Sequence, residues 1–145
     1  MAKKKYTFID LFAGCGGLSE GFLQTGRFKA LAHVEWEKPM VDTLRHRLIN
    51  EWGESEDEAN RNVILFDIQK TDELINGSWS EESDLQYGLH NADEVKTKGL
   101  NPFRFFKLSY LYHSLFFVRF KSIPHLLQSK EFSIVASGFV IVVNH

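Results

Sequence analysis

Apolar residues in the first part of the chain change from strand-like to helix-like spacing. Residues Tyr6 to Phe12 form a short run rich in β-forming residues that ends at a glycine-rich turn, a pattern typical of a buried strand. Leu18, Phe22 and Leu23 then recur at helical spacing. Gly26 follows them as a candidate helix C-cap. The pattern predicts a strand and a helix joined by a tight turn.

A second strand and helix follow in the same order. Residues 28–34 return to an extended apolar pattern that ends on Glu35, Trp36 and Glu37. Pro39 suits the first turn of a helix that runs to about Trp52. The residues expected on the apolar face of this helix are Met40, Val41, Leu44 and Leu48.

A third strand is predicted at residues 63–68, after an acidic stretch at 54–58 that we interpret as a solvated loop. Residues 69–100 are polar and lack sustained periodicity, so they predict a loop with at most a short helix near 72–75. Because strands and helices alternate with short turns, the chain is predicted to be α/β with a parallel, doubly wound sheet. Only three parallel strands are well supported, so we expect an incomplete parallel sheet.

The composition changes abruptly near residue 100. Residues 1–100 hold 12 Lys and Arg against 18 Asp and Glu, whereas residues 101–145 are rich in Phe and hold 5 against 1. We therefore divide the chain at residue 100. One hypothesis for the tail is translation out of frame. The alternative is a native completion of the sheet, because residues 132–136 and 139–143 would make acceptable strands.

The remaining composition excludes several classes of protein. The one cysteine, Cys15, excludes an intramolecular disulfide and a multi-cysteine zinc site, so we expect no metal. With no apolar signal segment behind Met1, we expect a cytoplasmic protein. The longest late apolar stretches, 108–118 and 134–143, are well short of the roughly 20 residues that span a bilayer. We therefore expect no membrane segment.

Candidate binding residues follow the predicted strand ends. Gly14, Gly16 and Gly17 would let the backbone approach a ligand, next to the unpaired N–H groups of a helix N-terminus. Glu35, at the end of the second strand, is placed to accept hydrogen bonds from ribose hydroxyls. Trp36 could offer a face to adenine, and Asp67 could accept from its exocyclic amine. Together these residues are suited to bind a nucleoside.

Each of these residues also has a purely structural interpretation. A glycine cluster is weak evidence, and a dinucleotide fingerprint would have a third glycine where this chain has Ser19. Glu35 alone is more often a solvated acid, Trp36 a core residue, and Asp67 a cap for the following turn. Their occurrence at successive strand ends favours the binding interpretation.

Longer motifs extend this pattern. Residues 8–19, Phe-Ile-Asp-Leu-Phe-Ala-Gly-Cys-Gly-Gly-Leu-Ser, resemble the first motif of DNA cytosine-5 methyltransferases, and residues 35–38 are similar to the second. Asp67-Ile68 resembles the third motif, usually Gly-Asp-Ile, with Phe66 in place of glycine. Residues 87–91 look like a segment found before the catalytic strand in some members. The resemblance covers residues 6 to about 100.

The resemblance implies a Rossmann-like S-adenosylmethionine-dependent methyltransferase fold. The methionine part would lie over residues 12–18, the ribose on Glu35, and the adenine near Trp36, Asp67 and Ile68. The cofactor-binding residues carried over from the family are Phe12, Ala13, Gly14, Cys15, Gly16, Gly17, Leu18, Glu35, Trp36, Asp67 and Ile68. Residues 1–100 would be the cofactor-binding part of the catalytic domain, and residues 101–145 stay unassigned.

In that family, a cysteine from a Pro-Cys loop attacks a cytosine flipped out of double-stranded DNA, and the ring then takes the methyl group. The three prolines here precede Met40, Phe103 and His125, so the loop is missing from this sequence. Cys15 lies inside the cofactor turn, where packing is expected. We therefore assign no catalytic residue, and the single chain is expected to be inactive.

Three functions stay open at this point. The chain could be an incomplete cytosine-5 methyltransferase, in a restriction-modification setting or another, completed by a second chain as in a split enzyme. It could be a non-catalytic module that binds S-adenosylmethionine. A nicotinamide-binding segment is disfavoured by Ser19 and by the family motif.

Overall fold

Three parallel strands follow the predicted order. The structure is a computed structural model that describes residues 6–100 and the backbone of 132–135 and 140–143. Strand β1 (Tyr6–Asp10) pairs with β2 (Phe28–Glu35). Strand β2 pairs in turn with β3 (Val63–Leu65). Strand β3 is shorter than the predicted 63–68, although Phe66 N–H still donates to Glu35 C=O at 3.0 Å. The predicted α/β class and its three parallel strands are confirmed.

Two further strands extend the sheet on the other side of β1. Strand β4 (Phe132–Val135) and strand β5 (Val140–Val143) pair antiparallel, and β5 also pairs antiparallel with β1. The strand order is β3-β2-β1-β5-β4, so the sheet is mixed rather than parallel throughout. Both strands lie within segments 132–136 and 139–143, which the sequence pattern indicated as acceptable strands. The other residues of the tail, 101–131, 136–139 and 144–145, lie outside the described residues.

The sheet separates two groups of buried side chains. Helix α1 (Gly17–Gln24) packs on one face, where Phe8 contacts Phe22 with ring centroids 5.2 Å apart and Phe22 contacts Phe28 at 4.8 Å. Such aromatic pairs each contribute about 0.5–1.5 kcal/mol beyond their buried area. Ile9 points to the opposite face, as the two-residue period of a strand requires.

The larger core lies under helix α2 (Lys38–Asn50), with Pro39 in its first turn as predicted. Val41, Leu44 and Leu48 are buried against the sheet, but Met40 is exposed. The prediction for Met40 was wrong because Val41, not Met40, faces the core in this turn of α2, and the Met40 side chain lies beside the glycine turn, with Sδ 3.0 Å from Cys15 Sγ. Arg45 also joins α2 to its neighbours, since its guanidinium donates to Val63 C=O at 2.7 Å and to His90 C=O at 2.8 Å.

Most of the acidic stretch at 54–58 is helix rather than the predicted loop. Helix α3 (Glu56–Asn62) begins there with a reciprocal capping box, in which Ser55 accepts from Glu58 N–H and the Glu58 carboxylate accepts from Ser55 N–H. Ala59 anchors the helix in the core. The three acidic residues of its first turn also complement the helix dipole.

Residues 69–100 contain more helix than predicted. The short helix expected near 72–75 is confirmed as α4 (Thr71–Asn76). Two more helices, α5 (Glu81–Tyr87) and α6 (Asp93–Lys98), and a 3₁₀ turn at Gly88–His90 correct the loop prediction. Each is one or two turns long, too short to show a helical period in the sequence.

The segment after α5 covers the outer edge of β3. The Asn91 amide accepts from Leu65 N–H at 3.0 Å and donates to Leu65 C=O at 2.9 Å. A second bond from the same NH₂ group reaches Tyr87 C=O at 2.9 Å. One side chain therefore satisfies backbone groups that an edge strand would otherwise leave unpaired. Among the described residues, no helix is long and apolar enough to cross a membrane.

Candidate functional site

A cleft opens where the carboxyl ends of β1, β2 and β3 meet. Its volume is about 90 Å³, smaller than the roughly 300–1,000 Å³ of typical small-molecule sites. A ligand of nucleoside size would therefore extend from the cleft over the neighbouring turn. The lining residues are Leu11, Phe12, Val34, Glu35, Trp36, Phe66, Asp67, Ile68 and Gln69.

The turn from β1 to α1 needs glycine for two different reasons. Gly14 and Gly16 have φ of +53° and +86°, in the left-handed region that favours glycine. A Cβ at Gly16 would also lie 2.4 Å from Leu44 Cδ1, so this residue lets the turn pack on α2. A Cβ at Gly14 or Gly17 would meet nothing within 4 Å. These two positions leave an open backbone surface.

Glu35 holds that turn against β2. One carboxylate oxygen accepts from Gly14 N–H at 2.8 Å, and the other accepts from Trp36 N–H at 2.8 Å and Glu37 N–H at 3.0 Å. A carboxylate can accept about four hydrogen bonds, so three backbone bonds leave capacity for about one more. The bonds also fix the orientation of the side chain. The residue is thus both a structural anchor of the turn and a preorganised acceptor.

The remaining cleft residues differ in their freedom. Trp36 is 63% exposed at the rim, and Phe12 is also exposed. Ile68 packs partly against the core. Asp67 Oδ1 accepts from Gln69 N–H at 2.9 Å, the local cap that the structural interpretation expects, and leaves Asp67 Oδ2 as a further acceptor.

Helix α1 begins beside the cleft without a side-chain cap. Gly16 is its N-cap residue, and the unpaired N–H groups of the first turn are available to an anion. Arg47 braces this region from α2, because its guanidinium donates to Cys15 C=O at 2.9 Å and forms an ion pair with Glu20. Cys15 Sγ lies 3.0 Å from Met40 Sδ.

A buried polar cluster under the turn was not predicted from the sequence. Ser19 Oγ lies 2.5 Å from Asp10 Oδ2 and 3.1 Å from His33 Nδ1. Burial raises the pKa of Asp10, with a further contribution from the charge of Glu35, while the Ser19 hydrogen bond opposes it. Burial lowers the pKa of His33 to about 4. The available signal in the sequence was that Asp10 and His33 are polar residues with apolar neighbours in the predicted strands.

Comparison with known proteins agrees with this arrangement of glycine turn and strand ends. The model of the family "C-5 cytosine-specific DNA methylase" matches residues 6–78, just over half of the chain. The chain belongs to this family. Cytosine-5 DNA methylases use S-adenosylmethionine and act on DNA, and the α/β sheet described above agrees with a Rossmann-like methyltransferase fold.

The similar methylases match over short segments. The chain is 48% identical over 42 residues to Type II methyltransferase M.HgiGI of Herpetosiphon aurantiacus, covering 29% of this chain and 32% of that protein. It is 51% identical over 37 residues to M.HgiDI of the same organism, covering 26% and 12%. It is 46% identical over 41 residues to DNA (cytosine-5)-methyltransferase PliMCI of Paracentrotus lividus, covering 28% and 2%.

The matched segment thus spans a third or less of these methylases. No solved structure matches this chain significantly.

The structure brings the eleven predicted cofactor residues to one region. Five of them line the cleft, namely Phe12, Glu35, Trp36, Asp67 and Ile68. The other six, residues 13–18, form the turn and the start of α1. The Ala13 side chain is buried in the larger core, and Leu18 packs against the smaller aromatic cluster. Ala13 can therefore present only backbone to a ligand, whereas Leu18 is only partly buried. The cofactor roles of all eleven residues stay predictions.

Proposed function

We propose that this chain binds S-adenosylmethionine at the cleft, as the cofactor-binding part of a cytosine-5 DNA methyltransferase. The observation that carries the proposal is the Glu35 carboxylate, held at the strand ends by three backbone N–H groups and joined directly to Gly14 of the turn. This acceptor lies between an open glycine surface and an exposed tryptophan. Such a set of groups suits a ligand with an anionic end, a ribose and an aromatic base.

Each part of the cofactor has a chemically suitable partner. The N–H groups at the start of α1 would bind the methionine carboxylate. The free acceptor capacity of Glu35 would take a ribose hydroxyl. Trp36 and Ile68 would contact the adenine ring, and Asp67 would accept from its amine. When bound, S-adenosylmethionine supplies the methyl group that the family transfers to cytosine C5.

Activity would need residues that this sequence does not contain. Cys15 is the one cysteine, and it follows Gly14 rather than proline. We therefore infer that the chain is inactive alone and that residues 1–100 are its methyltransferase part, whereas 101–145, which add β4 and β5 to the sheet, stay unassigned. Cytoplasmic action on double-stranded DNA in restriction-modification would then require a complementing chain. Without that chain, the protein would be a non-catalytic S-adenosylmethionine-binding module.

The test is a calorimetric titration of the purified chain with S-adenosylmethionine, comparing Trp36→Ala with Trp52→Ala. Trp36 is 63% exposed at the cleft, whereas Trp52 is 36% exposed just beyond the far end of α2. Stacking of a base on an aromatic ring is worth about 1–3 kcal/mol. We expect the Kd to rise about fivefold to 150-fold in Trp36→Ala and to stay within about twofold of wild type in Trp52→Ala.

Circular dichroism of all three proteins provides the folding control. A folded wild-type chain that shows no saturable binding would make the proposal wrong. Equal loss of affinity in both tryptophan variants would place the cofactor elsewhere.

A further inference from the structure

Ser19 stands where a dinucleotide fingerprint would have its third glycine, and in the structure its hydroxyl joins three elements. Ser19 lies in the first turn of α1 and is 1% exposed. Asp10 is the last residue of β1, and His33 is its direct neighbour across the β1–β2 ladder. The hydroxyl contacts both side chains, so it attaches the start of the helix to both strands.

Hydrogen-bond accounting assigns the protons of this cluster. The hydroxyl has one proton, and 2.5 Å to Asp10 Oδ2 is the length of a charge-assisted O–H···O⁻ bond. Ser19 Oγ must then accept from His33, which places the imidazole proton on Nδ1. His33 Nε2 is then left as a buried acceptor without a partner, and Asp10 Oδ1 is one in either arrangement.

The reverse arrangement is less favourable. A protonated Asp10 would donate to Ser19, and Ser19 would donate to His33 Nδ1. The imidazole proton would then lie on Nε2, which is buried and has no hydrogen-bond partner. A buried N–H without an acceptor is rarer in proteins than an acceptor without a donor. The geometry therefore favours the Nδ1–H form.

We propose that Ser19 is a positioning residue whose hydroxyl, between the Asp10 carboxylate and His33 Nδ1–H, sets the orientation of the first turn of α1 toward the cleft. This inference rests on the proposed binding of S-adenosylmethionine. Glu35 holds the middle of the turn at Gly14, and Ser19 holds its end at the helix. The two attachments together fix the N–H groups that would contact the methionine carboxylate.

The test compares Ser19→Ala with Ser83→Ala in the full chain. Ser83 is a matched control because it is also fully buried and hydrogen-bonded, to Lys70 Nζ at 3.0 Å, but it does not contact the turn. We expect Ser19→Ala to raise the Kd for S-adenosylmethionine about tenfold and Ser83→Ala to change it less than twofold. An unchanged Kd in a folded Ser19→Ala protein would overturn the proposal.

Nitrogen-15 NMR of the imidazoles gives a readout that does not depend on cofactor. The wild-type spectrum should show His33 protonated on Nδ1, and Ser19→Ala should change this signal whereas Ser83→Ala should not. A wild-type His33 protonated on Nε2 would overturn the proposal even if Ser19→Ala failed to fold. If the wild type shows the Nδ1–H form but binds no cofactor, the proposed function fails and the positioning role fails with it, while the proton assignment stands.

Discussion

Acid should destabilise this protein through His33. The side chain is 0% exposed, and burial lowers its pKa from the usual 6.5 to about 4. As the pH falls below 6.5, the unfolded chain binds a proton at this residue while the folded chain does not. Neutral His33 therefore makes its full contribution to the free energy of unfolding above pH 6.5. This contribution declines as the pH falls from 6.5 to 4, and no further loss occurs well below pH 4. With 1.36 kcal/mol for each pKa unit, the loss is about 3 kcal/mol.

The assay is urea unfolding followed by circular dichroism at pH 7.5 and pH 4. The wild type should lose about 3 kcal/mol more of its free energy of unfolding over this range than His33→Phe, which keeps an aromatic ring against Phe8 but cannot titrate. The control His46→Gln, at an exposed position on α2, should lose as much as wild type. The raised pKa of Asp10 acts in the opposite direction, because protonation of that carboxyl favours the folded chain. Identical pH dependence in wild type and His33→Phe would refute the reasoning.

Two further predictions concern stability and use matched variants. Gly16→Ala should lower the free energy of unfolding by about 1–3 kcal/mol, because Gly16 has a positive φ and a Cβ there would overlap Leu44. Gly21 lies inside α1 with open space around it, so Gly21→Ala should be neutral or slightly stabilising. Urea titration of both variants measures the difference. Asn91→Ala should lower the free energy of unfolding by about 1–3 kcal/mol, because Leu65 N–H and C=O lose their hydrogen-bond partner. Amide hydrogen exchange at the edge of β3 should become faster for the same reason. The exposed Asn50→Ala should leave that exchange rate unchanged, and equal rates in the two asparagine variants would contradict the edge-covering role.

The sequence was informative where apolar spacing is long and regular. Helix α2 and strands β1 and β2 have enough buried positions to show their periods, so their bounds were predicted within about two residues. The glycine turn and Glu35 could be placed at strand ends by the same reasoning. The bond from Gly14 N–H to the Glu35 carboxylate could not be predicted, because it depends on how the turn folds back over β2.

Short elements depended on other signals. Helix α3 has a Ser-x-x-Glu capping box at Ser55 and Glu58, a signal present in the sequence, but the acidic composition was interpreted as a solvated loop. Helices α5 and α6 each bury only one or two side chains, so they have no apolar face long enough to show a period. Ser19 and His33 meet only because β1, β2 and α1 converge, and a tertiary contact of this kind is not encoded locally.

The antiparallel β5 gives the split-enzyme hypothesis a kinetic consequence. In open doubly wound sheets with the strand order 3-2-1-4, a parallel strand pairs with β1 on the side away from β2. Here the antiparallel strand β5 occupies that position. An incoming chain that supplied the parallel strand would have to displace this four-residue ladder first. Assembly of the two chains would then be a strand-exchange reaction, and its rate at high partner concentration would be limited by detachment of β5 rather than by diffusion.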